Sequence, residues 1–155
     1  MESHRAFNRS IYHLHQELEF AVPFESTFEA SRRFMELYES MYRKRSLPYT
    51  LFEVRFTPPG HHCTLLGPGR EWHATWIDLV CNDSSDFERF YAAAEELVRT
   101  IGGRPHLGKF CEQLDHRDLA RLHGKHFETF RSVVDQSDPR GVFRNAFTTR
   151  MFGPP

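Results

Sequence analysis

Residues 50–56, TLFEVRF, alternate between the two kinds of side chain along most of their length. A repeat of two is the period of a β-strand, whose successive side chains point to opposite faces. Phe52, Val54 and Phe56 therefore face one way, against a core, and Leu51, Glu53 and Arg55 face the other. Glu53 and Arg55 stand side by side, roughly 7 Å apart at their Cα atoms. A strand with one apolar face needs a sheet around it and a layer to pack against.

Upstream, residues 16–22 alternate in the same way, with Leu18, Phe20 and Val22 opposite Glu17 and Glu19. Pro23 ends that strand. Ser26-x-x-Glu29 has the spacing of a capping box, and Phe34, Leu37, Tyr38 and Met41 line one side of a helix expected to run to about Lys44. Downstream, Pro58, Pro59 and Gly60 break the chain before a third strand around residues 72–81. Ser85-x-x-Glu88 then opens a helix carrying Phe87, Phe90, Tyr91, Ala94, Leu97, Val98 and Ile101, which Gly102 and Gly103 stop. Asp115 and Asp118 mark a further helix start, Phe127, Phe130, Val133 and Val134 form an amphipathic turn or two, and Asp138-Pro139-Arg140-Gly141 is turn chemistry. The order is strand, helix, strand, strand, helix, loop, helices. It predicts one α+β domain over residues 1–155, a mainly antiparallel sheet with helices on one face in a ferredoxin-like arrangement, plus C-terminal helices.

Composition narrows the function classes. The 155-residue chain has a formal net charge of −1 and no long basic block, which argues against nucleic acid as a partner. Its densest basic cluster, Arg43-Lys44-Arg45, falls at a helix end, where cations suit the dipole. No apolar run approaches the roughly 18 residues that span a bilayer, and the N-terminus lacks a signal-peptide core. Cys63, Cys81 and Cys111 are odd in number and far apart, which points away from a disulfide framework and towards a reducing, cytoplasmic setting.

Two segments carry candidate chemistry. Glu53 and Arg55 are either a solvated surface pair or, in a cleft, a carboxylate and a fixed cation for a polyhydroxylated or anionic ligand. Residues 102–109, GGRPHLGK, either only turn the chain or bring a catalytic lysine and histidine close to a ligand: Lys109 as a positive charge, His106 as an acid, base or hydrogen-bond donor. His61-His62-Cys63 lacks a second ligand cluster, and Gly124 interrupts any shared face of His116, His123 and His126, so no metal site is expected. GxSxG, P-loop and GxGxxG motifs are all absent.

Five segments in order, SHRAFN (3–8), ELEFAVP (17–23), FEVRFTP (52–58), IGGRPHLGK (101–109) and DPRGVFRNAFTTRMFG (138–153), resemble the C-terminal substrate domain of sugar-lactone oxidases. The resemblance is to the D-arabinono-1,4-lactone, L-gulono-1,4-lactone and alditol oxidase group of the vanillyl-alcohol oxidase flavoprotein superfamily, and it covers nearly the whole chain. It implies oxidation of a CH–OH group with oxygen, with a larger domain binding FAD and this domain closing over the flavin ring. Carried over by match, Glu53, Arg55 and Lys109 lie at the substrate–flavin junction with His106 beside them, and Arg55 and Lys109 also contact the cofactor. The chain departs from the pattern at Leu107, where a tryptophan is usual, at LLGPG (65–69) in place of Leu-Ser-Pro, and at Leu122-His123 in place of Tyr-Pro.

The flavin domain is missing from these 155 residues, and Met1 falls where the family is mid-chain. The resemblance therefore implies the substrate half of an FAD-linked oxidoreductase whose flavin domain is absent or on a separate chain, with FAD not held by this chain alone. Two alternatives stand beside it: a stand-alone isomerase, cyclase or dehydratase using the same Glu/Arg/Lys cleft, and a non-catalytic small-molecule binding module. The bare sheet face leads us to expect a homodimer or a flavin-domain subunit as partner.

Overall fold

A computed structural model describes residues 15–42, 50–60, 64–82 and 87–154. SHRAFN, Arg43-Lys44-Arg45, His61-His62-Cys63 and the Ser85 end of the second capping box lie outside the described residues. The elements are β1 (His15–Pro23), a 3-10 turn (Phe24–Ser26), α1 (Thr27–Tyr42), β2 (Thr50–Thr57), β3 (Ala74–Asn82), α2 (Phe87–Ile101), β4 (Arg104–Pro105), α3 (His116–His123), α4 (Lys125–Ser137) and α5 (Ala146–Phe152). The strands form one sheet in the order β2-β3-β1-β4, every neighbour antiparallel. That is the split β-α-β order expected, with three helices appended.

The core forms between one sheet face and the first two helices. Leu18, Phe20 and Val22 of β1 and Ile77, Leu79 and Cys81 of β3 are buried there with Ala30 and Phe34 of α1 and Phe90, Tyr91, Ala94 and Val98 of α2. Alternation in the strands and 3.6-residue spacing in the helices thus meet on one surface. The Tyr91 hydroxyl stitches the layers: it lies 2.6 Å from the carbonyl oxygens of both Gln16 and Leu79 and accepts the Cys81 N–H.

Four expectations need correcting. Phe56 is 60% exposed, because β2 is an edge strand and the two core helices pack chiefly against β1, and its ring meets Phe24 edge-on instead. The start of α1 is a 3-10 turn rather than a Ser26–Glu29 capping box: Thr27 donates to the Phe24 carbonyl and Glu29 pairs with Arg32. The segment after α2 is not simply a loop. Gly102 turns at φ 70° and Gly103 passes so close to the core that a Cβ would sit 3.1 Å from Val98 and 3.2 Å from Phe20; the chain then pairs with β1 as β4. Last, the motif ending the chain contains a helix that periodicity did not reveal, α5, opened by a capping box of Asn145 and Thr148. The Asp115–Asp118 helix start is present as a capping box on α3.

Candidate functional site

The sheet face turned away from the helices is built by register. Asp78 of β3 lies opposite Glu53 of β2 on one side and Glu19 of β1 on the other, so three carboxylates form a row across three strands. Like charges directly opposite one another destabilise a sheet, and here two of the three are also buried: Glu19 is 4% and Asp78 3% exposed. Arg55 offsets them. Its guanidinium pairs with Glu19, lies 3.7 Å from Asp78 Oδ2, and its Nε is 3.6 Å from Glu53.

Lys109 arrives at the same point from the other side. The segment after β4 continues along the edge of β1, with the His106 N–H donating to the Glu19 carbonyl at 2.8 Å and the Phe110 N–H to the Glu17 carbonyl at 2.8 Å. This tether, not free solvation, fixes Lys109: its Nζ pairs with Glu17 and lies 3.5 Å from Asp78 Oδ2. Burial pushes the Lys109 ammonium below its ordinary pKa. For Asp78, burial first and then the Glu19 charge, which outweigh the Arg55 attraction, raise the carboxyl to about 6. Asp78 Oδ1 is buried and has no hydrogen-bond partner.

A cavity of about 240 Å³ opens beside this cluster, lined by Glu19, Arg55, Thr57, Trp76 and His106. The Trp76 indole donates to Thr57 Oγ1 at 2.9 Å and stands edge-on to His106, with ring centroids 6.1 Å apart. His106 Nδ1 accepts the Gly108 N–H at 3.1 Å, which leaves Nε2 as the nitrogen for a ligand. The four sequence-derived residues Glu53, Arg55, His106 and Lys109 therefore come to one face, Arg55 and His106 on the cavity wall and Lys109 one carboxylate away. Sequence reasoning missed Asp78, Glu19 as a buried group, and Trp76. A signal existed for Asp78: a lone acid in the apolar run Trp76-Ile77-Asp78-Leu79-Val80. The histidines near α3 are elsewhere. His123 is buried and held neutral, and His126 contacts Glu71 at 3.2 Å; among the described residues no cluster suits a metal ion.

The sequence model of D-arabinono-1,4-lactone oxidase matches residues 1–151. The chain belongs to that family. It is 33% identical over 141 residues to an L-gulono-1,4-lactone dehydrogenase of Mycobacterium tuberculosis, covering 89% of this chain and 31% of the relative. It is 25% identical over 154 residues to the L-gulonolactone oxidase of Bos taurus, covering 97% of this chain and 34% of the relative. A long-chain alcohol oxidase from an uncultured marine euryarchaeote is 33% identical over 88 residues, or 55% of this chain. The chain spans about a third of the length of the first two. Among the described residues no helix is long and apolar enough to cross a membrane.

Proposed function

We propose that this chain is the substrate-side part of an FAD-linked sugar-lactone oxidoreductase, with the Arg55–Asp78–Lys109 face meeting substrate and flavin. The observation that carries this reading is convergence: two cations from separate elements approach one buried oxygen, Asp78 Oδ2, beside a cavity walled by Trp76 and His106. A polyhydroxylated ring suits such a wall, since carboxylates accept from hydroxyls and a fixed guanidinium donates to ring or carbonyl oxygens. Family membership supports the substrate class. No observation favours the isomerase or binding-module alternatives.

The fit to the cofactor is partial. Arg55 and Lys109 suit the polar edge of a flavin ring, but a cavity of about 240 Å³ has no room for a dinucleotide, and the sequence has no glycine-rich phosphate loop. FAD, when bound, supplies the acceptor for the two electrons that the alcohol carbon loses. The chain's own groups hold the substrate and manage its proton. Arg55 is permanently charged and steadies oxygen that gains negative charge. Lys109, with its pKa lowered by burial, is placed to give or take a proton. His106 Nε2 and Glu53 hold hydroxyls, and Trp76 gives the ring an apolar wall.

The test is calorimetric titration of L-gulono-1,4-lactone into the parent chain and into Arg55→Leu and Lys109→Met, each shown by thermal melt to be folded. Binding weakened tenfold or more in both variants is the expected result. Parent-like binding in both would overturn the reading.

A further inference from the structure

We propose that Asp78 is the positioning residue of this site: its buried carboxylate holds Arg55 and Lys109 together over the centre of the sheet, and its protonation sets how firmly Lys109 is held. The proposal rests on the reading of this face as the lactone side.

Geometry argues for it first. Asp78 Oδ2 lies 3.7 Å from Arg55 Nη2 and 3.5 Å from Lys109 Nζ, so a single oxygen keeps the two cationic nitrogens within about 7 Å of each other. Each cation also has partners of its own, Glu19 and Glu53 for Arg55 and Glu17 for Lys109, but among the described residues Asp78 is the one side chain common to both. Among the described residues, no other side chain lies against both the β2 cation and the cation on the segment after β4.

Stability alone gives no reason for an acid at this position. Asp78 is the middle of the Glu53–Asp78–Glu19 row, where a neutral side chain would remove two cross-strand repulsions. One of its oxygens is buried without a partner, a cost that well-packed interiors avoid. Among the described residues four carboxylates, Glu17, Glu19, Glu53 and Asp78, face the two cations Arg55 and Lys109, with the His15 imidazole 3.1 Å from Glu17. That surplus is relieved by a proton or by a ligand that donates hydrogen bonds.

The charged surroundings of Asp78 come from every neighbouring element. From β1 they are His15, Glu17 and Glu19; from β2, Glu53 and Arg55. Lys109 faces it from the segment after β4, and Tyr91 interacts with it from α2 across the sheet. Burial together with Glu19 and Glu53 keeps the proton on Asp78 up to about pH 6. The step is a simple protonation: hydronium gives a proton to the carboxylate and leaves as water, the negative charge that Lys109 and Arg55 share is lost, and among the described residues Lys109 keeps only the Glu17 charge. Deprotonation restores the bridge.

The chain has three lysines, Lys44, Lys109 and Lys125, which makes the experiment direct. Lysine labelled with carbon-13 at Cε is followed by NMR from pH 4 to 8, with Lys109→Met assigning the signal. The Lys109 signal is expected to inflect near pH 6 and the Lys125 signal to stay flat there. Asp78→Asn should abolish the inflection, and Asp78→Glu should keep one. In parallel, the affinity for L-gulono-1,4-lactone should fall tenfold or more in Asp78→Asn at pH 7.5 and match the parent at pH 5. Thermal melts confirm folding of each variant. A flat Lys109 signal in the parent, or an inflection that survives in Asp78→Asn, overturns the positioning role. An inflection that Asp78→Asn removes, in a parent that binds no lactone, upholds the role and overturns the lactone reading instead.

Discussion

Arg104 and Lys109 belong to the same octapeptide, GGRPHLGK, yet they end in two different kinds of charged cluster. Arg104 closes its surroundings. Its guanidinium donates to the carbonyls of Leu122 at 3.2 Å and Pro68 at 2.9 Å, lies 3.5 Å from Glu71, and stacks over Trp72 at 5.1 Å. It ties the 64–73 segment to α3, and every donor group it presents has something to do. Lys109 joins a cluster with, among the described residues, more carboxylates than cations and an orphaned oxygen, next to a cavity. A fully satisfied buried network holds structure together; a network left short of partners has capacity for something that comes and goes. The difference separates a staple from the proposed site within six residues of chain.

The largest effect is expected at the staple. Arg104→Leu leaves the half-buried carbonyls of Pro68 and Leu122 without this donor and, among the described residues, Glu71 with His126 alone, and should cost about 3 kcal/mol. In a domain of this size that is a fall in Tm of roughly 6–12 °C. Lactone binding measured below the new Tm should be unchanged. A variant that melts normally but loses the lactone would exchange the two roles.

The pH dependence of stability sharpens the contrast, because the two clusters have opposite signs. His123, buried beside Arg104, has its pKa lowered from 6.5 to about 4, first by burial and then by the Arg104 charge. Its stabilisation is complete above pH 6.5 and lost as pH falls through about 4, an acid cost of the order of 3 kcal/mol. Asp78 is raised from 3.8 to about 6, so its burial is tolerated below pH 3.8 and becomes costly as pH rises through 6. Melts from pH 4 to 8 should therefore show His123→Phe flattening the acid limb. Asp78→Asn should raise stability at pH 7.5 by about 1–3 kcal/mol, a gain that fades towards pH 4. Slopes of the same sign in the two variants would remove the distinction.

Glu53→Gln has the smallest expected effect. Glu53 is half exposed and 3.6 Å from Arg55, so its loss should leave stability within about 0.5 kcal/mol of the parent. Lactone affinity should fall only a few-fold, as read by titration.

The sequence made one of the two sheet faces easy to read. Leu18, Phe20 and Val22 alternate with acids, and the helix spacing of Phe90, Tyr91, Ala94 and Val98 supplied the layer against them. Glu53, Arg55, His106 and Lys109 were legible as candidates, from strand alternation and from resemblance. What was not legible was register. That Asp78 falls between Glu19 and Glu53 depends on how β3 pairs with strands on both sides, and no local pattern in Trp76-Ile77-Asp78-Leu79 specifies that. Burial of Glu19 is likewise tertiary, created by Arg55 and by the segment after β4 lying along β1. Phe56 misled because alternation tells which face a side chain takes, not whether a helix reaches far enough to cover it. Helix α5 was hidden for the opposite reason: its seven residues are too short to show periodicity, and its Asn145–Thr148 cap is a weaker mark than an acidic one.

On the proposed reading, the ligand side of this domain is the Arg55–Asp78–Lys109 face and not the Arg104 staple. Amide NMR during titration with L-gulono-1,4-lactone decides between them on one sample. Shifts are expected around Glu19 of β1, in β2 and β3 and at residues 106–109, with the amides of Glu71, Leu122 and His123 unmoved. Shifts centred on Glu71, Leu122 and His123, or none anywhere at millimolar lactone, would contradict it.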